Sequence, residues 1–568
     1  MTEACDVLVI GSGAGGLAAA TAAAAQGLSV IVAEKERYVG GTTALSGGFL
    51  WVPNNPVSRR DGVEDSIEAA RTYLRHEAGN HFNADCVDAF LAHGPEAVDF
   101  FESRTALRFD AASAFSDYHP TAPGGVAGGR SIVAAPYDAK ALGKELARLR
   151  PPLPELTFAG LMIGSGPELK HFFNVTRSAR SVAYVARRMT AHLRDLALHG
   201  RGMMLTNGNA LAARLFRSAL DLGVRVWTEA GAERLLVEKG RVVGARLATA
   251  DGPREVRAAR GVVLAAGGFP QDRERRRGIF PHDPDGTSHL SPAPPGNTGD
   301  GLRLAEAVGA ALELGYPNAA AWVPVSRVPR KGGGWGVFPH FIDRAKPGLI
   351  AVLPDGRRFV NEANSYHDFV QALFAASPAG GPVRAFLVVD HAFLRRFGLG
   401  FVKPFPVPVG GQVRSGYLRR GGSLAELAAA AGIDPAGLEA TVAAFNRDAR
   451  AGTDTAFGKG STAYNRFNGD PAFTPNPCLA PIEQGPFYAV EVGVGDLGTF
   501  AGMRANGHAQ VLDGEGRPIL GLYAAGNDMA SIMGGNYPGG GITLGPALTF
   551  GYIAARHMAA QPAGPNAD

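Results

Sequence analysis

Glycines at 11, 13 and 16, in the run Gly11-Ser12-Gly13-Ala14-Gly15-Gly16, have the G-x-G-x-x-G spacing that brings backbone against a diphosphate. The first suits a tight turn, the second a close approach to pyrophosphate, and the third a close helix–strand contact. Phosphates placed there meet the unpaired N–H groups and the positive dipole end of a helix. Glu34 follows Gly16 by eighteen residues, where a carboxylate accepts from nucleotide ribose hydroxyls. A second small-residue run comes at once, Gly40-Gly41-Thr42-Thr43-Ala44-Leu45-Ser46-Gly47-Gly48. A free nicotinamide dinucleotide has no use for that run. A long, permanently held dinucleotide does, because its diphosphate and sugar chain must lie against backbone. The block from Gly534 to Ala547 is equally dense in glycine and proline, which lays backbone against a ligand rather than building core.

The elements that must position these residues are legible around them. An apolar strand, Val7–Ile10, enters the first glycine run, an Ala-rich helix leaves it, and a second apolar run, Ser29–Ala33, ends at Glu34. That is a complete βαβ unit. Val262–Leu264, running into Ala265-Ala266-Gly267-Gly268, is another apolar strand that ends in small residues, and Leu522–Ala525, running into Gly526-Asn527-Asp528, repeats the pattern. Near the C-terminus the glycine-rich segment feeds a helix over Leu548–Met558.

The sequence GGTTALSGG after an E-K strand end resembles the flavoproteins of the fumarate reductase/3-ketosteroid dehydrogenase superfamily. The resemblance implies an α/β fold: a Rossmann-type FAD-binding domain, discontinuous in sequence, with an inserted α+β catalytic (cap) domain. It also implies non-covalent FAD. The positions that match cofactor contacts are Gly11, Gly13, Ala14, Gly15, Gly16, Glu34, Lys35, Gly40, Gly41, Thr42, Thr43, Ser46, Gly47, Gly48, Ala266, Gly267, Gly526, Asn527, Ile542, Thr543 and Leu544.

Within that superfamily, Tyr537-Pro538-Gly539-Gly540-Gly541 resembles the Y-P-G-x-G motif of 3-ketosteroid Δ1-dehydrogenases. The likeness implies that the Tyr537 hydroxyl and the Gly541 N–H both donate to the steroid 3-keto oxygen. Two donors on one carbonyl form an oxyanion hole that stabilises an enolate. Arg357-Arg358-Phe359-Val360-Asn361-Glu362-Ala363-Asn364-Ser365-Tyr366 resembles the R-F-x-N-E segment, which puts Tyr366 at the place of the base that removes the C2 proton. Ser116-Asp117-Tyr118-His119-Pro120 resembles the D-Y-x-P segment, which makes Tyr118 the hydrogen-bonding partner of that base. A free phenol titrates near 10, so a tyrosine base needs a second phenol or a positive charge. His119 reads either as a solvated loop residue or as a proton relay. The implied activity is 1,2-dehydrogenation of 3-ketosteroids, with a quinone or electron carrier as final acceptor. Open alternatives are a Δ4-(5α)-dehydrogenase or another cyclic-ketone flavin dehydrogenase, and a flavin-binding protein without turnover. A fumarate-type enzyme is disfavoured, because a dicarboxylate needs arginines and position 366 is tyrosine.

With 568 residues the chain should split into more than one domain, and a composition of 46% hydrophobic and 19% charged residues argues against disorder. The net charge of +4 gives no reason to propose a nucleic-acid partner. Cys5, Cys86 and Cys478 lack metal-ligand spacing, so no metal is expected and a reducing, cytoplasmic location is the default. No targeting leader and no run long enough to span a bilayer is apparent. The tail after Met558 should fray.

Helices are expected at Ser66–Leu74, Ala84–Thr105, from Gly202, and over Leu302–Val308, with a hairpin over Ala232–Leu247 turning at Lys239-Gly240. Residues 110–137 read as loop, and Glu274-Arg275-Arg276-Arg277 as a solvated face. Phe49, Leu50 and Trp51 suit either a substrate cleft or core. The texture changes from about 320 to 490, giving a cofactor domain over 1–320 and 491–568 with the cap over 321–490. In the cap, His391–Tyr417 interleaves Phe393, Phe397, Phe401 and Phe405 with Arg395, Arg396, Lys403 and Arg414. That pattern suits a peripheral membrane contact, and a lid over the cleft or a dimer contact equally accounts for it. The oligomeric state is not legible.

Overall fold

The structure is a computed structural model that describes residues 2–330 and 332–562. Its centre is a mostly parallel sheet. The strand Thr2–Ile10 lies between Val30–Ala33 and Arg254–Leu264, pairing Val7 with both Val30 and Gly261. Arg225–Trp227 extends one side, and Pro518–Ala524 continues the other through Val262 opposite Leu522. Val7, Leu8 and Val9 are wholly buried, as expected of a parallel strand covered on both faces.

The helix Ala14–Ala24 is apolar around nearly its whole circumference and is buried from Ala14 to Ala23. The C-terminal helix Leu544–Ala560 crosses it so closely that a Cβ on Gly551 would stand 2.5 Å from the Gly15 carbonyl oxygen. This last helix begins four residues earlier than expected and ends two later, at Ala560. Of the tail expected to fray, residues 563–568 lie outside the described residues.

A second, antiparallel sheet runs in the order Trp335–Pro339, Ala320–Pro329, Phe487–Thr499, Ala385–Val389, Leu349–Val352. Arg419–Gly421 also pairs with Phe487–Thr499. That thirteen-residue strand passes unbroken through position 490. The helix Tyr366–Ala376 packs on Ala320–Pro329.

The expected helices occur at Ile67–Ala78, capped by Ser66, and at Ala84–Arg104. The hairpin turns at Lys239 and Gly240, both at positive φ. Three expectations need correction. Residues 110–137 are not all loop: Ser131–Ala134 pairs with both Phe49–Trp51 and Phe109–Ala111. Arg276 is not solvated; it is buried against Asp283 at 2.9 Å and donates to two backbone carbonyls. From Gly202, a short strand Met204–Leu205 precedes the helix, which begins only at Asn207.

Candidate active site

Four tyrosines from separate parts of the chain meet in one buried cluster. The Tyr118 and Tyr366 hydroxyls share a 2.9 Å hydrogen bond, and their rings stand edge-on at 5.6 Å. Tyr537 stacks on Tyr118 at 5.4 Å and meets Tyr366 edge-on at 5.0 Å. Tyr464 packs 4.6 Å from Tyr118. No motif in the sequence marks Tyr464; its only signal is an aromatic residue in the short helix Ala463–Asn468.

Local structure explains how each phenol is held. Trp51 Nε1 donates to Asp117 at 2.8 Å, and Arg130 bridges Asp117 and Asp65 at 2.9 and 3.0 Å. Burial pushes the Asp117 carboxyl up to about 6, against the pull of Arg130. The Tyr118 N–H donates to the Pro538 carbonyl at 2.9 Å, and the Tyr73 hydroxyl donates to the same oxygen at 2.7 Å. The loops bearing Tyr118 and Tyr537 are thereby bonded to each other. A Cβ on Gly539 would lie 2.5 Å from the Trp51 ring and one on Gly540 2.6 Å from Phe115, so these neighbours demand glycine. Gly541, at φ +103°, offers its carbonyl to the Trp51 N–H, while its own N–H makes no hydrogen bond among the described residues.

Tyr366 opens the helix Tyr366–Ala376, capped by Ser365. Its first-turn position puts it at the positive end of the helix dipole. The buried Arg344 donates to the carbonyls of Glu362 and Asn364 just upstream. Burial raises the Tyr366 and Tyr118 phenols well above their usual value and pushes Tyr537 up to about 12. All are neutral at rest, so any phenolate needs the 2.9 Å donor, the dipole and bound substrate.

The His119 ring is neither free in solvent nor hydrogen-bonded to the Tyr118, Tyr366 or Tyr537 hydroxyls, although its backbone N–H donates to the Tyr73 hydroxyl at 3.2 Å. Its Nδ1 lies 2.9 Å from Glu77 and its Nε2 3.0 Å from Asp368. Burial alone would lower this imidazole, but the two carboxylates override it and lift it to about 10. The ring is an imidazolium clamp.

The tyrosines face a cavity of about 1180 Å³ whose other walls are the glycine runs. Gly11, Gly13, Ala14, Gly15, Glu34, Lys35, Gly41, Thr42, Thr43, Ser46, Gly47, Gly48, Ala266, Gly267, Gly526, Asn527, Gly541, Thr543 and Leu544 all line it. Gly16, Gly40 and Ile542 stand behind that wall; a Cβ on Gly16 would strike the Gly11 oxygen at 2.1 Å. These residues fit a dinucleotide. Gly13 has ordinary extended backbone, and a Cβ there would meet only Thr43 Oγ1, at 3.7 Å, so the space beside the helix N-terminus is open. Glu34 closes the groove with both oxygens aimed at nearby donors, Ser12 Oγ at 2.5 Å and the Glu36 N–H at 2.9 Å. Lys35 is held by Asp300 at 2.5 Å. Asp528 anchors the Ala266 and Gly268 N–H groups from beneath.

Of the residues after the second glycine run, Phe49 lines the cavity while Leu50 and Trp51 are core. In His391–Tyr417, Phe393, Phe397, Leu399 and Val402 are buried, Arg396 is engaged by Asp470, and Phe405 is 51% exposed under Arg395. Among the described residues, no helix is long and apolar enough to cross a membrane and no cluster suits a metal.

Comparisons with known proteins agree with this cavity. The family described as FAD binding domain matches residues 6–544. The chain is 44% identical to 4-oxocyclohex-2-ene-1-carboxylate 5-dehydrogenase of Sinomonas cyclohexanicum, over 98% of this chain and 94% of that one. It is 38% identical to 3-oxosteroid 1-dehydrogenase of Mycobacterium tuberculosis, covering 98% of both. The crystal structure of 3-ketosteroid delta1-dehydrogenase from Sterolibacterium denitrificans, in complex with 1,4-androstadiene-3,17-dione, superposes with a TM-score of 0.90 at 35% identity. That match covers 98% of this chain and all of the other. The cofactor is FAD, and the chain belongs to the FAD binding domain family, among its flavin-dependent oxidoreductases.

Proposed function

We propose that this flavoenzyme dehydrogenates the C1–C2 bond of 3-ketosteroids. The observation that carries the reading is the 2.9 Å contact of Tyr118 with Tyr366 beside Tyr537 and the unspent Gly541 N–H. The ketone oxygen accepts from the Tyr537 hydroxyl and the Gly541 N–H, which stabilises the enolate and acidifies C2–H. Tyr366 takes the C2 proton while Tyr118 donates to the developing phenolate. When bound, FAD supplies the two-electron acceptor for the hydride that leaves C1. The cofactor sites belong to the segments 1–320 and 491–568, and the base to the inserted cap, 321–490.

The 44%-identical relative is named for a monocyclic keto acid, and the same α-proton chemistry serves such a ring. The steroid reading is favoured by the apolar wall beyond the phenols, which includes Phe115, Phe173, Phe338, Phe341 and Phe397. In His391–Tyr417, burial of most of the apolar side chains supports a cavity wall rather than a membrane contact. Incubation of the purified protein with androst-4-ene-3,17-dione and an artificial electron acceptor tests the function. The Δ1 product is expected; the Δ4 reading requires instead that a 5α-3-ketosteroid acquire a C4–C5 double bond.

A further inference from the structure

Beyond the tyrosines, the cavity wall carries amines that the reaction does not use. Lys346 Nζ donates to the carbonyls of Asn468 and Gly469, at 2.7 and 2.9 Å, and stands 5.5 Å from the Phe173 ring. An ammonium has three donors, so one remains uncommitted. Lys403 has no hydrogen bond or ion pair among the described residues and lies 5.7 Å from the Phe401 ring. Burial lowers both amines to about 8. Lys170 also lines the cavity and repels Lys346.

The nearby carboxylates do not neutralise this wall. Asp343 is taken by His340 at 2.6 Å and by the Gly400 N–H, and Asp470 is taken by Arg396. A cation half-buried among phenylalanines with no counter-charge is costly unless an anion joins it. The position is equally specific. Asn468, which holds Lys346, ends the helix in which Tyr464 packs on Tyr118. Asn468 stands one helical turn past Tyr464, about 6 Å along the axis. Lys346 and Lys403 therefore line the same cavity as the catalytic tyrosines, where a substrate held by its ketone can meet them.

We propose that Lys403 receives a carboxylate carried by the substrate, so that the preferred substrates are ring ketones with an acidic side chain. This deepens the ketosteroid reading and rests on it. An ammonium–carboxylate contact beside the Phe401 ring is a charge-assisted hydrogen bond in a partly dry site, stronger than its surface equivalent.

The test compares 3-oxochol-4-en-24-oate with its methyl ester, which has the same rings and no charge. For the unaltered enzyme, KM for the acid should lie about tenfold or more below that for the ester. In Lys403→Met the ratio should fall towards one, and in Lys403→Arg it should recover. Equal KM values for acid and ester in the unaltered enzyme overturn the proposal, as does an equal loss of both in Lys403→Met. Titration of the holoenzyme with 3-oxochol-4-en-24-oate, followed by flavin absorbance, keeps the two readings apart. Lys403-dependent binding without turnover of any ketosteroid sustains the carboxylate site and overturns the dehydrogenase reading instead.

Discussion

His119 Nε2 lies 3.0 Å from Asp368 Oδ2, two residues past Tyr366, while its own neighbour in sequence is Tyr118. One imidazolium thus fixes the loop of one phenol to the helix of the other. Its folded-state value of about 10 is above that of an unfolded histidine, so its stabilisation is fully present below about 6.5 and is lost as pH rises through about 10. His119→Gln should therefore melt below the unaltered protein near pH 6, with the two melting temperatures converging by pH 10 to 11. A gap that widens with pH contradicts the clamp.

Tyr366→Phe keeps the ring and deletes the hydroxyl. We expect kcat to fall by about 10²–10⁴-fold with FAD content retained. Near-normal turnover by that variant removes Tyr366 from the role of base.

Tyr537→Phe should lower kcat by about 10²–10³-fold if its hydroxyl stabilises the enolate. A rise in KM with kcat intact would make Tyr537 a positioning residue.

Gly13 and Gly16 separate cofactor contact from folding. A side chain at 13 projects into open cavity, so Gly13→Val should yield folded, colourless protein with a melting temperature close to that of the stripped unaltered protein. A Cβ at 16 strikes backbone at 2.1 Å, so Gly16→Ala should cost roughly 1–3 kcal/mol in fold stability itself. Thermal melts of the flavin-free proteins, together with flavin absorbance after reconstitution, distinguish the two.

The sequence is most transparent where function constrains short segments. Gly11 and Gly16 show the close backbone contacts their spacing predicts, Gly16 against Gly11 and Gly11 against the end of the adjacent strand at Ala265. Tyr118, Tyr366 and Tyr537 are legible one at a time, through motifs, and the structure supplies their meeting. Contacts between motif-free segments were not legible. Tyr464 sits in a six-residue helix with no periodicity to mark it. The clamp joins residues 77, 119 and 368, whose proximity only the tertiary fold creates. The helix Ala179–His199 escapes notice because it buries Arg188, His192 and Asp195 while Leu193 and Leu198 face outward, inverting the usual pattern.

The crossing of Leu544–Ala560 over Ala14–Ala24 bears on biosynthesis. The first glycine turn is made within the opening residues, yet the helix it starts is packed by the last ones, with Gly551 against Gly15. The wall formed by Gly526, Gly541 and Thr543 is also translated late. A nascent chain holding only the βαβ unit has half a groove and an uncovered alanine-rich helix. A complete cofactor groove therefore requires Leu544–Ala560 and the Gly526–Thr543 wall to dock on the βαβ unit, so capture of FAD follows that docking.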